Sequence, residues 1–353
     1  MINPSRTRWL VLHPCVVRLL DNKVPLQEFF TLMALEDKKD AEAAEILDLL
    51  RNPIIHANLL FLKYTLQYFN KMNALFQTED IMIHKLKEVS LTYLKQLCQN
   101  YMRPNVLPSV VTIDVTHPHF QVPLEKVYLG PGLEEALKDI PLPNDPGKSE
   151  IQLVQMRENE IKTFRLRCLD FYVTAAKEMK TYLPLSNKIV DEAKYIEPEV
   201  ALSVEARTDL PDLRNSLSNF KVPHDLDIDA AVVEWREMPY TLENEAAWLR
   251  VLKPAEFWFE VGKMRDFCDK PVFPELSKLA KVTLALPHSN ASAERTFSVV
   301  TDTKTNKRNK MKNKTLDSIC VVRSAMKRKK ETCFDLQVRK EHLDKHNKTM
   351  YNV

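Results

Sequence analysis

Few residues in this chain have types and spacings that could do chemistry. Glu294 is the first of them: it follows Pro287, Ser289 and Asn290 and precedes Phe297 and Val300. If a helix starts there, Ala293, Phe297 and Val300 recur at i, i+4 and i+7 and form an apolar stripe. The Glu294 carboxylate then lies on the flank of that stripe, roughly 60° from Phe297, where buried surface meets something polar. A glutamate in a first helical turn is also favoured by the helix dipole alone. After Val300 comes a basic run with Lys304, Lys307, Arg308 and Lys310, with Met311 its one apolar residue. Such a run either meets phosphate or is a solvated loop.

Three other constellations carry less. His117 and His119 are spaced to share a metal ion, but no third or fourth ligand of suitable type is near them in the sequence, which favours a surface pair. Asp225, Asp227 and Asp229 resemble the start of a calcium loop. The glycine and terminal glutamate such a loop needs are missing in register, so helix N-terminal acids are the better account. Six cysteines lie far apart without a CxxC pair, as expected of reduced thiols.

The elements that must position these groups read as helices. Four glycines beside 21 prolines in 353 residues, with 44% hydrophobic residues, suit many helices punctuated by proline and enough apolar mass for a core. Residues 26–51 read as one or two helices. Asn52 and Pro53 start a strong one, with Leu59, Leu62, Leu66 and Phe69 on its buried side. Another is expected from Thr78 to Arg103, antiparallel to it. Residues 104–147 change character: Val110, Val111, Ile113 and Val115 among prolines suggest extended chain or a short strand. A long helix is expected from Lys148 to Leu183, then shorter ones to 222. Phe257, Trp258 and Phe259 read as core. Leu316, Ile319, Cys320 and Met326 make the apolar face of a last helix, followed by the basic run Lys327 to Lys330 and a polar tail.

No run of about 18 apolar residues occurs, so no membrane span is expected. Nor does any segment have the spacing of a phosphate-binding loop, and no small-molecule substrate is expected. Charge is uneven: residues 301–353 hold 15 Lys or Arg against 6 Asp or Glu, whereas the first 300 hold 36 against 42. A phosphate backbone or an acidic partner would be met at the C-terminal end.

The succession Leu286-Pro287, Ser289, Ala291, Glu294-Arg295, Phe297-Ser298 and Lys307 to Met311 resembles the C-terminal signature of hAT-superfamily transposases, often called the hAT dimerisation domain. Trp258, Phe273-Pro274, Leu276 and Leu279-Ala280 precede it at fitting spacing. Leu59 to Tyr64 and Phe69 to Gln77 also look like segments of transposon-derived hAT-like proteins. The resemblance implies a mainly α chain with little β. A helical insertion-type domain over 1–222 would carry an irregular segment at about 104–147. The dimerisation region would span 223–330, as the C-terminal helical part of an RNase H-like fold, and a polar tail 331–353.

It implies roles as well. Glu294 would be the glutamate that joins two aspartates in holding divalent metal for DNA strand transfer. Arg8 and Trp9 would match the family's Arg-Trp motif at the DNA end, although a tryptophan beside an arginine more commonly caps a small core. Leu286, Phe297, Val300, Leu316, Ile319 and Cys320 would serve core packing and subunit association. Lys304, Lys307, Arg308 and Lys310 would contact DNA. The family's zinc finger and both aspartates lie upstream of the Arg-Trp motif, so the metal site is expected to be incomplete. Mg2+ or Mn2+ would bind only if an upstream half completed it. The expectation is a non-catalytic, transposase-derived nuclear protein that self-associates as a homodimer or larger and associates with DNA. The alternative is the C-terminal part of an active transposase.

Overall fold

The computed structural model describes residues 11–36, 41–78, 80–207, 226–335, 337 and 339–345. Among them the structure is mainly helical, without strands; two isolated bridges, Met102 with Gln121 and Arg265 with Pro271, are the only β-type pairings there. The longer helices are α1 (Leu12–Asp21), α2 (Lys23–Glu36), α3 (Ala41–Arg51), α4 (Pro53–Phe76), α5 (Leu86–Cys98), α6 (Glu150–Tyr182), α7 (Ile228–Thr241), α8 (Pro254–Lys263), α9 (Pro274–Leu284), α10 (Ala291–Thr303) and α11 (Asn313–Lys329). They fall in two compact units, Met1–His288 and Ser289–Val353.

The first unit holds two principal apolar cores. In the first core, α4 starts where the sequence places its signals. Asn52 Oδ1 accepts from the Ile54 and Ile55 N–H groups at 2.8 and 3.2 Å, and Pro53 needs no partner for a missing N–H. The buried side of α4 runs through Ile54, Ala57, Phe61 and Thr65, one helical face at steps of three and four. Of the expected line of Leu59, Leu62, Leu66 and Phe69, only Leu66 is buried; the other three are half-buried. Opposite, α6 opens with a capping box between Ser149 and Gln152 and buries Phe164, Cys168, Tyr172, Ala176 and Met179. Tyr172 stacks on Tyr101 with rings nearly parallel and donates to the Tyr128 carbonyl at 3.0 Å. Each large side chain removed fully from water in this way stabilises by about 1.5–3 kcal/mol.

Two expectations are corrected here. The second helix of the expected pair begins at Leu86, not at Thr78. Val110 and Val115 are buried as apolar residues should be, but not on a strand. Pro104 and Pro108 lie within a 3-10 turn (Pro104–Ser109), and further short turns at Pro118–Phe120 and Leu124–Lys126 fold the stretch onto the core. Proline fixes φ and lacks the N–H a ladder needs, so an apolar run set among prolines folds as turns.

The second core joins Val190, Ala193, Ile196 and Leu202 to Trp235, Phe257, Trp258, Phe273, Leu276 and Leu284, so it draws on both sides of residue 222. Trp258 is 1% exposed and Phe257 fully buried. Phe259, expected in the core, is 57% exposed beneath the Lys263 ammonium, 3.9 Å from its ring centre. Glu234 on α7 reaches the N-terminus of α9, where its carboxylate accepts from the Leu276 and Glu275 N–H groups at 2.7 and 3.3 Å. Asp227 caps α7 itself by accepting from Ala230 N–H at 3.0 Å, as an N-terminal acid does. Asp225 lies outside the described residues.

Candidate association and nucleic-acid surface

The second unit is built on α10, a 3-10 turn at Asn306–Arg308 and α11. Ser289 Oγ accepts from the Ala291 N–H at 3.3 Å, whereas Asn290, the N-cap residue, makes no side-chain capping bond. The face of α10 withdrawn from water is not the expected Ala293–Phe297–Val300 stripe. Ala291 and Thr303 are buried and Arg295, Val299 and Val300 half-buried, while Ala293 is exposed and Phe297 is 69% exposed. Thr303 also receives a hydrogen bond from the Arg323 guanidinium of α11 at 3.3 Å. On α11, Leu316, Ile319, Cys320 and Met326 are half-buried on one face, and Val321 and Val322 stand 59% and 52% exposed. Among its described residues the unit thus presents five large apolar side chains to solvent: Phe297, Val321 and Val322, and beyond α11 Phe334 and Leu343. Leu286 belongs to the first unit and packs, half-buried, against its second core.

The basic residues separate into two groups. Lys307, Arg308 and Lys310 line one concavity of about 840 Å³ together with Lys312, Lys314, Thr315 and Ser318. Lys304 is the C-cap residue of α10 and does not line it. Lys312 and Lys314 were part of the same basic run but were not singled out from the sequence. Their shared wall depends on the turn after α10, which residue types alone do not specify. Five cations thus surround one hollow, with the Thr315 and Ser318 hydroxyls beside them.

Glu294 lies exposed in the first turn of α10. Among the described residues no group of three or more His, Cys, Asp or Glu side chains is arranged to hold a metal ion. Among the described residues, then, no carboxylates join Glu294 in an arrangement that would fit two metal ions. His117 and His119 do not converge on a common point. His117 Nδ1 instead accepts from the His119 N–H at 3.1 Å, which closes a local turn. Arg8 and Trp9 lie outside the described residues. Among the described residues no helix is long and apolar enough to cross a membrane.

Residues 237–326 match the family model of the hAT family C-terminal dimerisation region, which supports an hAT-family transposase-like protein. No curated protein and no solved structure matches it. The match runs from the end of α7 to Met326 and so takes in the basic concavity and the exposed Phe297. The signature residues divide by physical role. Trp258, Phe273, Leu276, Leu279 and Ala280 are buried, whereas Glu294, Phe297 and the Lys307 to Lys310 run are exposed. A dimerisation region supports self-association.

Proposed function

We propose that this chain is a transposase-derived protein that acts by dimerising through its C-terminal region and associates with DNA through the basic concavity, without a complete catalytic centre of its own. The observation that carries the reading is the exposure of Phe297, Val321 and Val322 within the region matched to hAT dimerisation. Exposed apolar side chains gain most when a second copy covers them. The basic hollow at Lys307 to Ser318 supports DNA association, since Lys and Arg on phosphate release condensed counterions. Strand transfer by two metals requires several carboxylates holding cations about 3.5–4 Å apart. Glu294, exposed on α10, has no such company among the described residues. The helices are read as the helical complement of an RNase H-like transposase fold. Lys327 to Lys330, at the end of α11, is read as a nuclear localisation signal.

Light scattering on the whole chain tests the central part. A mass twice 41.0 kDa is expected, and a monodisperse species of 41.0 kDa at micromolar concentration contradicts it.

A further inference from the structure

Two features meet at the start of α11. The first is the hollow lined by Lys307, Arg308, Lys310, Lys312 and Lys314, which has no acid on its wall. Among the described residues no ion pair holds any of these five cations. The second is the helix start itself. Its first turn holds no acid, and the N-cap residue, Lys312, makes no side-chain capping bond. A helix dipole favours negative charge there, and the sequence supplies none.

Two exposed hydroxyls, Thr315 and Ser318, stand on the same wall. Ser318 Oγ is committed, since it donates to the Lys314 carbonyl oxygen at 2.9 Å. The Thr315 hydroxyl has no hydrogen-bond partner among the described residues. Thr315 is also the third residue of α11, inside the uncapped turn.

We propose that Thr315 is a phosphorylation site for a kinase that selects basic substrates, and that its phosphate seats in the hollow. Residues 309–312 are non-helical and, Met311 apart, exposed, so the chain leading to Thr315 is open to an enzyme. Lys310, Lys312 and Lys314 lie five, three and one positions before it, a charge pattern that an acidic substrate cleft reads. Thr332 has Lys329 three positions before it, but its hydroxyl is bonded to Asp335 Oδ2 at 2.6 Å. The kinase brings ATP. Thr315 Oγ1 bonds to the γ-phosphorus, the bond from that phosphorus to the β–γ bridging oxygen breaks, ADP leaves, and the hydroxyl proton passes to a base of the kinase. The chain gains about 1.5–2 negative charges among five cations and at an uncapped helix start, where such a group forms charge-assisted hydrogen bonds. Once seated, the phosphate occupies cations that a DNA backbone would use, so modification turns DNA association off. That consequence rests on the DNA reading above; the site itself does not.

The test treats the full chain with ATP and the catalytic subunit of cAMP-dependent protein kinase and maps the phosphate by peptide mass spectrometry. Thr315 should be modified ahead of Thr332, and Thr315→Val should lose most of the incorporated phosphate at unchanged helicity. Incorporation unaltered in that variant would overturn the proposal. Phosphorus-31 NMR then reads the seat. The phosphothreonine should take up its proton about half a pH unit lower, or more, in the otherwise unaltered chain than in Lys307→Ser combined with Arg308→Ser. Coincident titrations would overturn the seating. Finally, the phosphorylated chain should bind a labelled duplex about tenfold more weakly, or less, than the unmodified chain. Equal affinities would overturn the switch. A chain that binds no duplex before modification contradicts the DNA reading instead, and the mapping and the titration then decide the site by themselves.

Discussion

The Trp258 indole N–H donates to the Ile196 carbonyl oxygen at 2.7 Å, across 62 residues of sequence, inside the second core. The bond ties the region matched to hAT dimerisation to a stretch that precedes it. Trp258→Phe keeps most of the apolar contact but leaves a buried carbonyl without its donor, at a cost of about 1–3 kcal/mol. Urea unfolding of the full chain should show that loss in its midpoint with an unchanged slope. By the same logic a fragment cut to 237–326 lacks Val190, Ala193, Ile196 and Leu202, which its core residues pack against, and is expected to give no cooperative unfolding transition.

Gly130 has φ +116, and a Cβ there would lie 2.8 Å from the Cβ and Cγ of Tyr64. Tyr64 cannot easily yield, because its hydroxyl is bonded to Tyr68 and to Asn100 Oδ1. Gly130→Ala therefore incurs both backbone strain of about 1–3 kcal/mol and a steric clash. In a double-mutant cycle, Tyr64→Ala should remove part of the second cost but not the first, giving a favourable coupling. Additive effects would contradict the contact.

His84 is buried, with Nε2 3.1 Å from Glu197 Oε2, and Lys85 Nζ is 2.9 Å from the other Glu197 oxygen. Burial holds the His84 imidazole below its ordinary value near 6.5; Glu197 opposes this and Lys85 adds to it. As pH falls, the unfolded chain takes up this proton before the folded chain does, so the contribution is present above about pH 6.5 and lost as pH falls through the folded value. Between about pH 7 and 5, the wild-type urea midpoint should fall more steeply than that of His84→Gln. Parallel curves would contradict the sign.

If the basic concavity meets phosphate, binding to duplex DNA should weaken with salt. Lys307→Ser, Arg308→Ser and Lys310→Ser together should reduce the log–log salt slope by up to about 2.7, at about 0.9 per phosphate contact. Lys304→Ser, outside the concavity, should change it least. Anisotropy of a labelled duplex over a salt series measures both, and an unaltered slope in the triple variant would place binding elsewhere.

Local signals made much of the fold legible. Asn52-Pro53 and the Ser149/Gln152 box mark helix starts through hydrogen bonds between near neighbours, and sequence shows those directly. The apolar residues at 110 and 115 were legible as core but not as turns, because burial follows residue type while backbone form followed the prolines. Two outcomes depended on tertiary packing. The buried face of α10 is set by what α10 packs on, which placed Phe297 outside it. The apolar line through Leu62, Leu66 and Phe69 was visible, but that it borders an open hollow depends on how far α6 stands from α4.

The central claim is association through the C-terminal region, and sedimentation equilibrium of Phe297→Asp combined with Val322→Asp tests it most directly. Both side chains are exposed, so the monomer should keep its fold and its helical circular dichroism. The expected result is a wild-type dimer and a variant that sediments as a monomer at the same concentration. A variant that stays as dimeric as the wild type, with helicity intact, would show that these side chains do not form the interface.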